Sequence, residues 1–249
     1  TGIILHARDT ARGDRLVTVL TQEGIQTLFM FGGARSSLRS AASPFMLADL
    51  EIYADARSDF RKLTGVTILE TFDSLRQSIE HLQAASMAAE FILKTSAFGG
   101  EYATALSMLT DLLHELCSCD AGGAIGLGLA FLWKALIPLG LLPDTDACES
   151  CCKPLMHTTG TAAWYARGDA GFLCPACAQH RMDTGFPRQA MLVLSAQDLS
   201  VLEALAHAPR ISAAESAHAA SSAAASRVIA ALAERAAEGK LASLHLFSL

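Results

Sequence analysis

Short runs of alternating apolar and polar residues dominate the first seventy residues. Residues 25–31 and 47–53 each repeat with a period of two, and residues 16–20 form a short β-branched run. Residues 63–70 supply a further strand, and turn signals separate these runs. Five short strands without room for crossover helices predict a small antiparallel barrel or sandwich over residues 1–72.

The period changes from two to three or four at Asp73. One apolar stripe predicts a helix that begins at N-capping residues near 72–74 and ends at Gly99-Gly100. The members of this stripe are Leu75, Ile79, Leu82, Ser86, Ala89 and Leu93. A second stripe predicts the next helix, and its members are Tyr102, Leu106, Leu109, Leu113 and Leu116.

The chain returns to a helical pattern after Pro187. Leu199, Leu202 and Leu205 step by three, and an Ala-rich segment near 213–238 keeps apolar residues at helical spacing. We therefore expect an α-helical domain made of residues 73–147 and 181–249. Strands followed by helices predict an α+β chain.

Residues 121–142 are apolar enough to imitate a membrane span. They carry one charge, Lys134, over roughly the 20 residues that a spanning helix needs. Glycines crowd the first half of the segment, Pro138 interrupts its end, and no basic cluster flanks it. We predict a buried core helix here, with a membrane helix as the alternative.

The composition limits the class of protein. The 249 residues are 51% apolar and carry a net charge of −6, which argues against a protein that is basic all over. A local basic face is compatible with that total, because nucleic-acid affinity depends on where Lys and Arg lie. Seven cysteines and an N-terminus without a signal-peptide pattern indicate reduced thiols and a cytoplasmic protein.

Two CxxC pairs, separated by 22 residues, predict a metal site. They are Cys148 with Cys151 and Cys174 with Cys177. Zinc prefers four tetrahedral thiolate or imidazole ligands, and each CxxC turn presents two thiolates on one knuckle. A closed four-thiolate site leaves no position for a reactive water, so we predict a structural zinc ion in a zinc finger of residues 148–180.

Other interpretations of the cysteines stay open at this point. The four thiols could carry no metal, or a nearby residue could replace one of them as a ligand. The candidate substitutes are Cys152, His157 and His180. Cys117 and Cys119 lie on a helical stretch, where core packing explains them better than a site does.

Arginines are frequent in the first 45 residues, although the chain as a whole is acidic. They are Arg8, Arg12, Arg15, Arg35 and Arg39. Phe29 and Phe31 lie on the strand that leads into one of their loops. Guanidinium groups bind phosphate and aromatic rings stack on bases, so the pattern is typical of a groove for single-stranded nucleic acid. Alternatively, Asp9 or Asp14 pairs with the arginines, and both phenylalanines belong to the barrel core.

No sequence motif favours an enzyme. The chain contains no GxxxxGK[ST] loop, no GxGxxG after a strand, no HExxH and no GxSxG. The carboxylates follow no evident pairing, and the histidines are scattered along the chain. We therefore predict a binding protein that is not an enzyme.

Several segments together resemble the RecO family of bacterial recombination mediators. Residues 2–5 and 13–21 are similar to that family's opening strands, and residues 33–36 are similar to its basic Gly-Ala-Arg loop. The further matching segments are residues 44–45, 50–53, 72 with 75–76, 139–143, 239–241 and 243–244. The order and spacing of these segments carry the resemblance.

The resemblance implies an oligonucleotide-binding (OB) type barrel, an α-helical domain and an inserted zinc finger, without enzymatic turnover. It implies binding of single- and double-stranded DNA and annealing of complementary strands. It further implies loading of RecA, with RecR, onto DNA covered by single-strand-binding protein (SSB), whose acidic, apolar C-terminal tail docks on the helical domain. The arginines that it assigns to DNA are Arg15 and Arg35, followed by Arg8, Arg12 and Arg39.

One departure and two alternatives stand beside this expectation. The family usually has Lys before the Gly-Ala-Arg loop, where this chain has Gly32, so one phosphate contact is expected to be missing. The first alternative is a zinc-stabilised scaffold that docks RecR or SSB with little DNA affinity of its own. The second is a zinc-containing enzyme of the deacylase type, which would need glycine-rich phosphate loops that the sequence lacks.

Overall fold

The computed structural model describes residues 1–32, 38–55, 57, 59–155 and 161–246. A five-stranded closed barrel comes first, and helices follow, together with a small sheet that has the CxxC cysteines beside it in the chain. The prediction of an N-terminal barrel followed by helices and a cysteine module is confirmed.

The barrel is built from five strands in the order β1-β2-β3-β5-β4. Their bounds are Gly2–Asp9 (β1), Arg15–Thr21 (β2), Ile25–Met30 (β3), Leu47–Ala54 (β4) and Arg61–Glu70 (β5). All neighbours pair antiparallel except β3 and β5, which meet in parallel. A closed ring of five strands needs one such pair, because an odd number of strands cannot alternate in direction all the way round.

A short helix, α1 (Leu38–Ala41), lies between β3 and β4 and contacts β5. Inward-facing side chains of the strands form a compact cluster with residues next to this helix. The buried members are Ile4, Val17, Val19, Leu28, Met30, Ala42, Met46 and Leu63. The alternation of buried and exposed positions along β2 and β3 is the pattern of strands that close over a core.

The helical region begins with a 3₁₀ turn at Asp73–Gln77 and continues with α2 (Ile79–Lys94). The predicted N-cap near residues 72–74 is wrong for α2, because the Ser78 hydroxyl accepts the hydrogen bonds of its first free N–H groups. The long helix begins six residues later than its stripe suggested, and two members of the stripe, Ile79 and Leu93, are exposed, at 67% and 37%.

A left-handed turn follows α2, at α3 (Ser96–Gly100). Ser96, Ala97 and Phe98 all have φ between 49° and 60°, a conformation that side chains with a Cβ rarely adopt. Ala97 and Phe98 are nevertheless buried, and the Thr95 hydroxyl accepts a hydrogen bond from the Phe98 N–H. Helix α2 therefore ends at Lys94, five residues before the end predicted at Gly99, and the left-handed turn of α3 carries the chain to the two glycines.

Helices α4 (Tyr102–Ser118) and α5 (Ala121–Ala135) complete this part of the bundle. The predicted stripe of α4 faces the core, with Leu109, Leu113 and Leu116 fully buried. Helix α5 packs against α2, α4 and three later helices, so it is apolar on every side. Among the described residues, no helix has both the length and the apolarity needed to cross a membrane.

The cysteine region forms a three-stranded sheet with one helix. The strands are β6 (Thr161–Ala166), β7 (Phe172–Leu173) and β8 (Met191–Ser195), and α6 (Pro175–Asp183) lies between β7 and β8. Strands β6 and β7 pair as an antiparallel hairpin between the two CxxC turns. Strand β8 was not predicted, and it pairs with the other edge of β6.

Three helices end the chain: α7 (Ala196–His207), α8 (Ala213–Ser221) and α9 (Ala223–Ala236). The Ala-rich segment is thus two helices, divided at Ser222, which caps α9. Helix α7 is tied to α5 by a hydrogen bond of 2.8 Å from Trp133 Nε1 to the Leu202 carbonyl. One apolar cluster joins these helices, α2, α4, α5 and the small sheet.

Candidate metal centre and nucleic-acid interface

The four predicted cysteines converge on one point. Cys148 and Cys151 lie on a turn before β6, whereas Cys174 and Cys177 lie at the start of α6. Their four sulfur atoms are all within 4.8 Å of one another, and the Cys151 and Cys174 sulfurs are 3.8 Å apart. A tetrahedral metal with bonds of about 2.3 Å to sulfur places its ligands about 3.8 Å apart. The donor set and its size therefore fit one thiophilic metal ion.

Local hydrogen bonds hold the two knuckles together. The Glu149 carboxylate accepts a bond of 2.8 Å from the Gly171 N–H, and the Glu149 N–H donates to the Phe172 carbonyl at 2.8 Å. The Cys174 N–H donates to the Cys148 sulfur at 3.3 Å. The first knuckle is thus fixed to the β6–β7 hairpin, whose end leads directly into the second.

The negative charge of closely spaced thiolates favours a bound cation in the cluster. Burial disfavours the Cys148 thiolate, but backbone N–H groups of Cys174, Cys151 and Ser150 outweigh burial and lower the pKa of Cys148 to about 6. Hydrogen bonds with the sulfurs of Cys151 and Cys174 hold the proton of Cys177 and raise its pKa to about 12. Four thiolates this close repel one another, and a bound metal cation offsets that repulsion.

Cys152 and His180, two of the residues considered as substitute ligands, do not belong to the four-cysteine cluster. Cys152 follows Cys151 but turns away with φ of 57°, and it is exposed. His180 lies on α6 outside the group of four, and His157 lies outside the described residues. Cys117 and Cys119 are half-buried against the helical core, and burial raises the pKa of both thiols.

Two of the five predicted arginines share one carboxylate at an end of the barrel. Arg15 Nε lies 2.9 Å from Asp9 Oδ1, and Arg39 Nη2 pairs with Asp9 Oδ2. Arg15 also donates to the carbonyls of Arg39 and Ala42, at 3.1 and 3.5 Å. The Arg15 hydrogen bond is the main reason that the pKa of Asp9 is lowered. The pairing with Asp9 that the sequence left open as an alternative is therefore present.

The other predicted arginines differ from this pair. Arg8 on β1 and Arg12 in the β1–β2 turn are exposed, and neither forms a salt bridge with an acid in the described part of the chain. Arg35 lies outside the described residues. Arg8 and Arg12 therefore present their full charge to solvent.

The aromatic residues of β3 are not core residues. Phe29 is half-buried on the outside of the barrel and Phe31 is 44% exposed, while Leu28 and Met30 fill the interior. Phe60 packs against both rings, and Lys62 lies over the Phe31 ring. Phe60 and Lys62 have no local signal in the sequence, because their proximity to β3 depends on the parallel β3–β5 contact.

A shallow apolar groove lies in the helical region, between α4, the end of α5 and the segment after α7. It encloses about 270 Å³, and its apolar walls include Met108, Ile137 and Ile211. Lys134 and Arg210 line it as well, together with Asp111. The Lys134 ammonium donates to the Leu205 and Ala208 carbonyls at the end of α7, whereas Arg210 is exposed.

Comparison with known proteins covers both halves of the chain. The family model described as "Recombination protein O N terminal" matches residues 1–72, and "Recombination protein O C terminal" matches residues 76–245. A DNA repair protein RecO from Anaeromyxobacter sp. (strain Fw109-5) is 35% identical over 182 residues, which are 72% of this chain and 69% of that protein. The corresponding protein of Anaeromyxobacter sp. (strain K) is 33% identical over 206 residues, or 81% and 76% of the two chains.

A more distant relative agrees with these two. The DNA repair protein RecO of Roseiflexus sp. (strain RS-1) is 30% identical over 177 residues, which are 71% of this chain and 60% of that protein. The matches include the barrel and the helical region with its cysteine module. The resemblance noted in the sequence is confirmed, and the chain belongs to the RecO family of DNA repair proteins.

Proposed function

We propose that this chain is a non-enzymatic mediator of DNA repair and homologous recombination, acting at the nucleoid in the cytoplasm. It binds single- and double-stranded DNA, anneals complementary strands, and helps RecR to load RecA onto DNA covered by SSB. Membership of the RecO family along both halves of the chain, combined with exposed cations on an OB-type barrel, supports this function.

Arginines of the barrel provide the phosphate contacts. Arg8 and Arg12 are exposed and bind phosphate directly, while Arg35 extends the contact from the Gly-Ala-Arg loop. Arg15 and Arg39 share Asp9, so together they supply one net positive charge and hold the end of the barrel in shape. Gly32, in place of the family's usual Lys, makes the affinity of the barrel alone modest.

Annealing requires no catalytic residue. Two complementary strands repel one another through their phosphates, and bound arginines reduce that repulsion while they release counterions. The bases of the two strands then pair without help from protein side chains. The protein therefore promotes annealing by placing positive charge between the phosphate backbones of the two strands.

The groove in the helical region is our candidate site for the SSB tail. That tail is apolar and acidic, so it matches apolar walls beside an exposed guanidinium at Arg210. A labelled tail peptide should bind the wild type, and Ile137→Ala together with Arg210→Ala should weaken binding about tenfold or more. Unchanged peptide affinity in that double variant would move the tail site elsewhere.

Zinc is the metal that we assign to the four-cysteine cluster. A set of four thiolates without an open position is typical of structural zinc, which supplies folding free energy and no reaction chemistry. Measurement of metal content in the purified protein should give one zinc per chain. If another metal were found at one per chain, the four cysteines would still be a metal site, but zinc would be the wrong metal.

Salt-dependent binding tests the DNA function. Anisotropy of a labelled single strand should give an affinity that falls steeply with salt, with a slope of about −0.7 per phosphate contact. Arg8→Ala with Arg12→Ala, and separately Arg15→Ala with Arg35→Ala, should each flatten that slope by about 1 to 1.5. Lys153→Ala with Lys240→Ala removes the same charge from exposed sites outside the barrel and serves as the control.

The alternative function is a zinc-stabilised scaffold that docks RecR and SSB with little DNA affinity of its own. The shared carboxylate of Asp9, which neutralises part of the arginine charge, favours this alternative. Tight binding of the SSB tail by a wild type that does not bind DNA would select it. Unchanged affinity and slope in both arginine variants would remove these arginines from the DNA site.

A further inference from the structure

A row of side chains crosses all five strands on the outside of the barrel. Arg8 lies opposite Leu16, Leu16 opposite Phe29, Phe29 opposite Lys62, and Lys62 opposite Tyr53. Residues directly opposite one another in adjacent strands project from the same face of the sheet, about 5 Å apart. These five residues, called the outer row below, therefore form one continuous strip.

The outer row faces solvent, because its neighbours along the strands face the core. Val17, Leu28 and Leu63 each follow or precede a row member, and all three are buried. Within the row, Arg8 is exposed and Tyr53 is 58% exposed. The row thus presents two cations, Arg8 and Lys62, which flank Leu16 and Phe29, and it ends at the aromatic Tyr53.

Two further phenylalanines enlarge the centre of the row. The Phe29 and Phe31 rings are 6.3 Å apart and nearly parallel, at an interplanar angle of 19°. Phe60 lies 5.2 Å from Phe29 and 6.1 Å from Phe31. Lys62 Nζ lies 5.4 Å from the centre of the Phe31 ring. Three rings on the surface of a small barrel, with a cation over one of them, make an apolar face with positive charge beside it.

We propose that the outer row, with Phe31 and Phe60, is a base-stacking platform for single-stranded DNA. This inference rests on the proposed DNA-binding function and adds to it the residues that contact bases. Bases stack on the phenylalanine rings and on Tyr53, while Arg8 and Lys62 bind the phosphates between them. Measured along the curved surface of the barrel, the row covers four strand spacings, or about 19 Å, which is enough for roughly four nucleotides that follow this curve.

The distribution of charge favours a nucleic acid over a protein partner for this face. Two cations, Arg8 and Lys62, lie in the row beside its apolar and aromatic groups, so phosphates can contact the cations while bases contact the rings. Acidic Glu51 lies two residues before Tyr53 in the chain, and acidic Asp59 directly precedes Phe60. The backbone of the strand therefore follows the Arg8 and Lys62 side of the rings, away from these carboxylates.

An abasic strand separates stacking from charge. Anisotropy should be measured with a labelled oligo-dT and with an abasic strand of equal length, both bound to the full-length chain. The wild type should bind oligo-dT more tightly, and Phe31→Ala should weaken that binding by about 5- to 100-fold while the abasic strand is bound as before. Tyr53→Ala should have the same effect on a smaller scale. Leu69→Ala, which removes another exposed apolar side chain from β5, is the matched control.

Charge variants complete the test. Arg8→Ala should weaken the binding of oligo-dT and of the abasic strand equally, because it removes a phosphate contact. It should also flatten the dependence of affinity on salt concentration. The Phe31 and Tyr53 side chains are exposed, so Phe31→Ala and Tyr53→Ala should fold. The far-ultraviolet circular dichroism and the melting temperature of each variant should match those of the wild type.

The possible failures can be told apart. A wild type that binds neither strand overturns the proposed function and this inference with it. A wild type that binds both strands equally, or aromatic variants that bind oligo-dT as the wild type does, overturns the stacking platform alone. If Phe31→Ala keeps full DNA affinity but loses RecR, the row is a protein interface and the inference is wrong.

Discussion

The barrel has eight fully or nearly buried apolar residues in a core of its own, whereas the helices, the cysteine module and the C-terminal segment share a single larger core. Side chains of the small sheet, such as Tyr165 and Phe172, belong to the same cluster as Trp133 of α5. The barrel joins this larger core through one side only, by residues such as Ile3 and Phe45.

This difference separates the positions that fold the protein from those that are free to bind. The barrel closes over a few interior residues, so its outer row can carry arginine, lysine and aromatic groups without loss of core packing. The cysteine module has no comparable independence, because its sheet completes the helical core. Loss of the metal should therefore destabilise the helices as well as the cysteine module, and it should leave the barrel folded.

Loss of the metal is the strongest test of that contrast. Cys148→Ser removes the most buried of the four thiols, and we expect it to lower the free energy of unfolding by several kcal/mol, since zinc supplies on the order of 10 kcal/mol to isolated modules. Thermal unfolding with and without a chelator should measure the loss. Hydrogen exchange should increase in residues 144–155 and 161–180 and in the helices packed on them, while DNA affinity falls much less.

A neighbouring cysteine provides the control for that experiment. Cys152→Ser changes an exposed thiol outside the cluster and should leave metal content and melting temperature unchanged. If chelation loosened the barrel as much as the helices, the contrast between the two regions would be wrong. If chelation abolished DNA binding with the fold intact, the cysteine module would itself contact DNA.

The next largest effect concerns the packing of the shared core. Helices α2 and α5 approach closely at Gly128, where an added Cβ would lie 2.4 Å from the Met87 terminal carbon and 3.3 Å from the Ala84 Cβ. We expect Gly128→Val to cost about 2 kcal/mol, because the two helices must separate. Urea unfolding should measure this loss. Gly122→Ala, on the same helix, adds a Cβ that would make only an ordinary contact of 3.6 Å with Asp120 Oδ1, so it should instead be neutral or stabilise by about 0.5 kcal/mol.

Local patterns in the sequence were sufficient for most elements and for the metal cluster. Period-two runs correspond to β3 and β4, the stripe from Leu106 to Leu116 corresponds to the buried face of α4, and the two CxxC pairs supply all four clustered thiols. Each of these signals lies within a few residues of chain. A periodic segment or a knuckle is therefore readable before any tertiary contact is known.

The features that the sequence did not reveal depend on distant contacts. Strand β8 has four apolar residues followed by Ser195, and this short segment becomes a strand only by pairing with β6. Pairing of Asp9 with arginines was an alternative that the sequence offered, but the choice of Arg39 as a partner depends on a contact across 30 residues of chain. The outer row likewise requires the register of four strand pairs, and no window of sequence contains it.

A smaller effect is expected where the C-terminal segment is attached to α2. Glu90 accepts hydrogen bonds from the Ser243 hydroxyl at 2.6 Å and from the N–H groups of Ser243 and Ala242, both at 2.9 Å. Burial opposes ionisation of Glu90, but these bonds and Lys94 outweigh it and lower its pKa. Glu90→Ala should cost about 1 to 2 kcal/mol, measured by urea unfolding at pH 7.

The pH dependence of that contact has a definite sign. Because the pKa of Glu90 is lower in the folded than in the unfolded protein, its contribution is complete above the ordinary glutamate pKa and is lost as the pH falls through the lowered value. The difference in stability between wild type and Glu90→Ala should thus be constant near neutral pH and shrink in acid. A difference that persisted at pH 3 would show that the carboxylate charge is not involved.

The smallest effect distinguishes two arginines of the barrel, and it is the finest test of the contrast between folding and binding positions. Arg15 is 18% exposed and bound to Asp9 and two carbonyls, so Arg15→Ala should cost about 1 kcal/mol of stability. Arg8→Ala should cost almost none, because the Arg8 side chain is exposed, yet it should weaken DNA binding more than Arg15→Ala does. Unfolding and anisotropy measurements on both variants should show that Arg15→Ala loses mainly stability, whereas Arg8→Ala loses mainly DNA affinity. Equal losses of stability and affinity in both would mean that the barrel does not divide its arginines between fold and ligand.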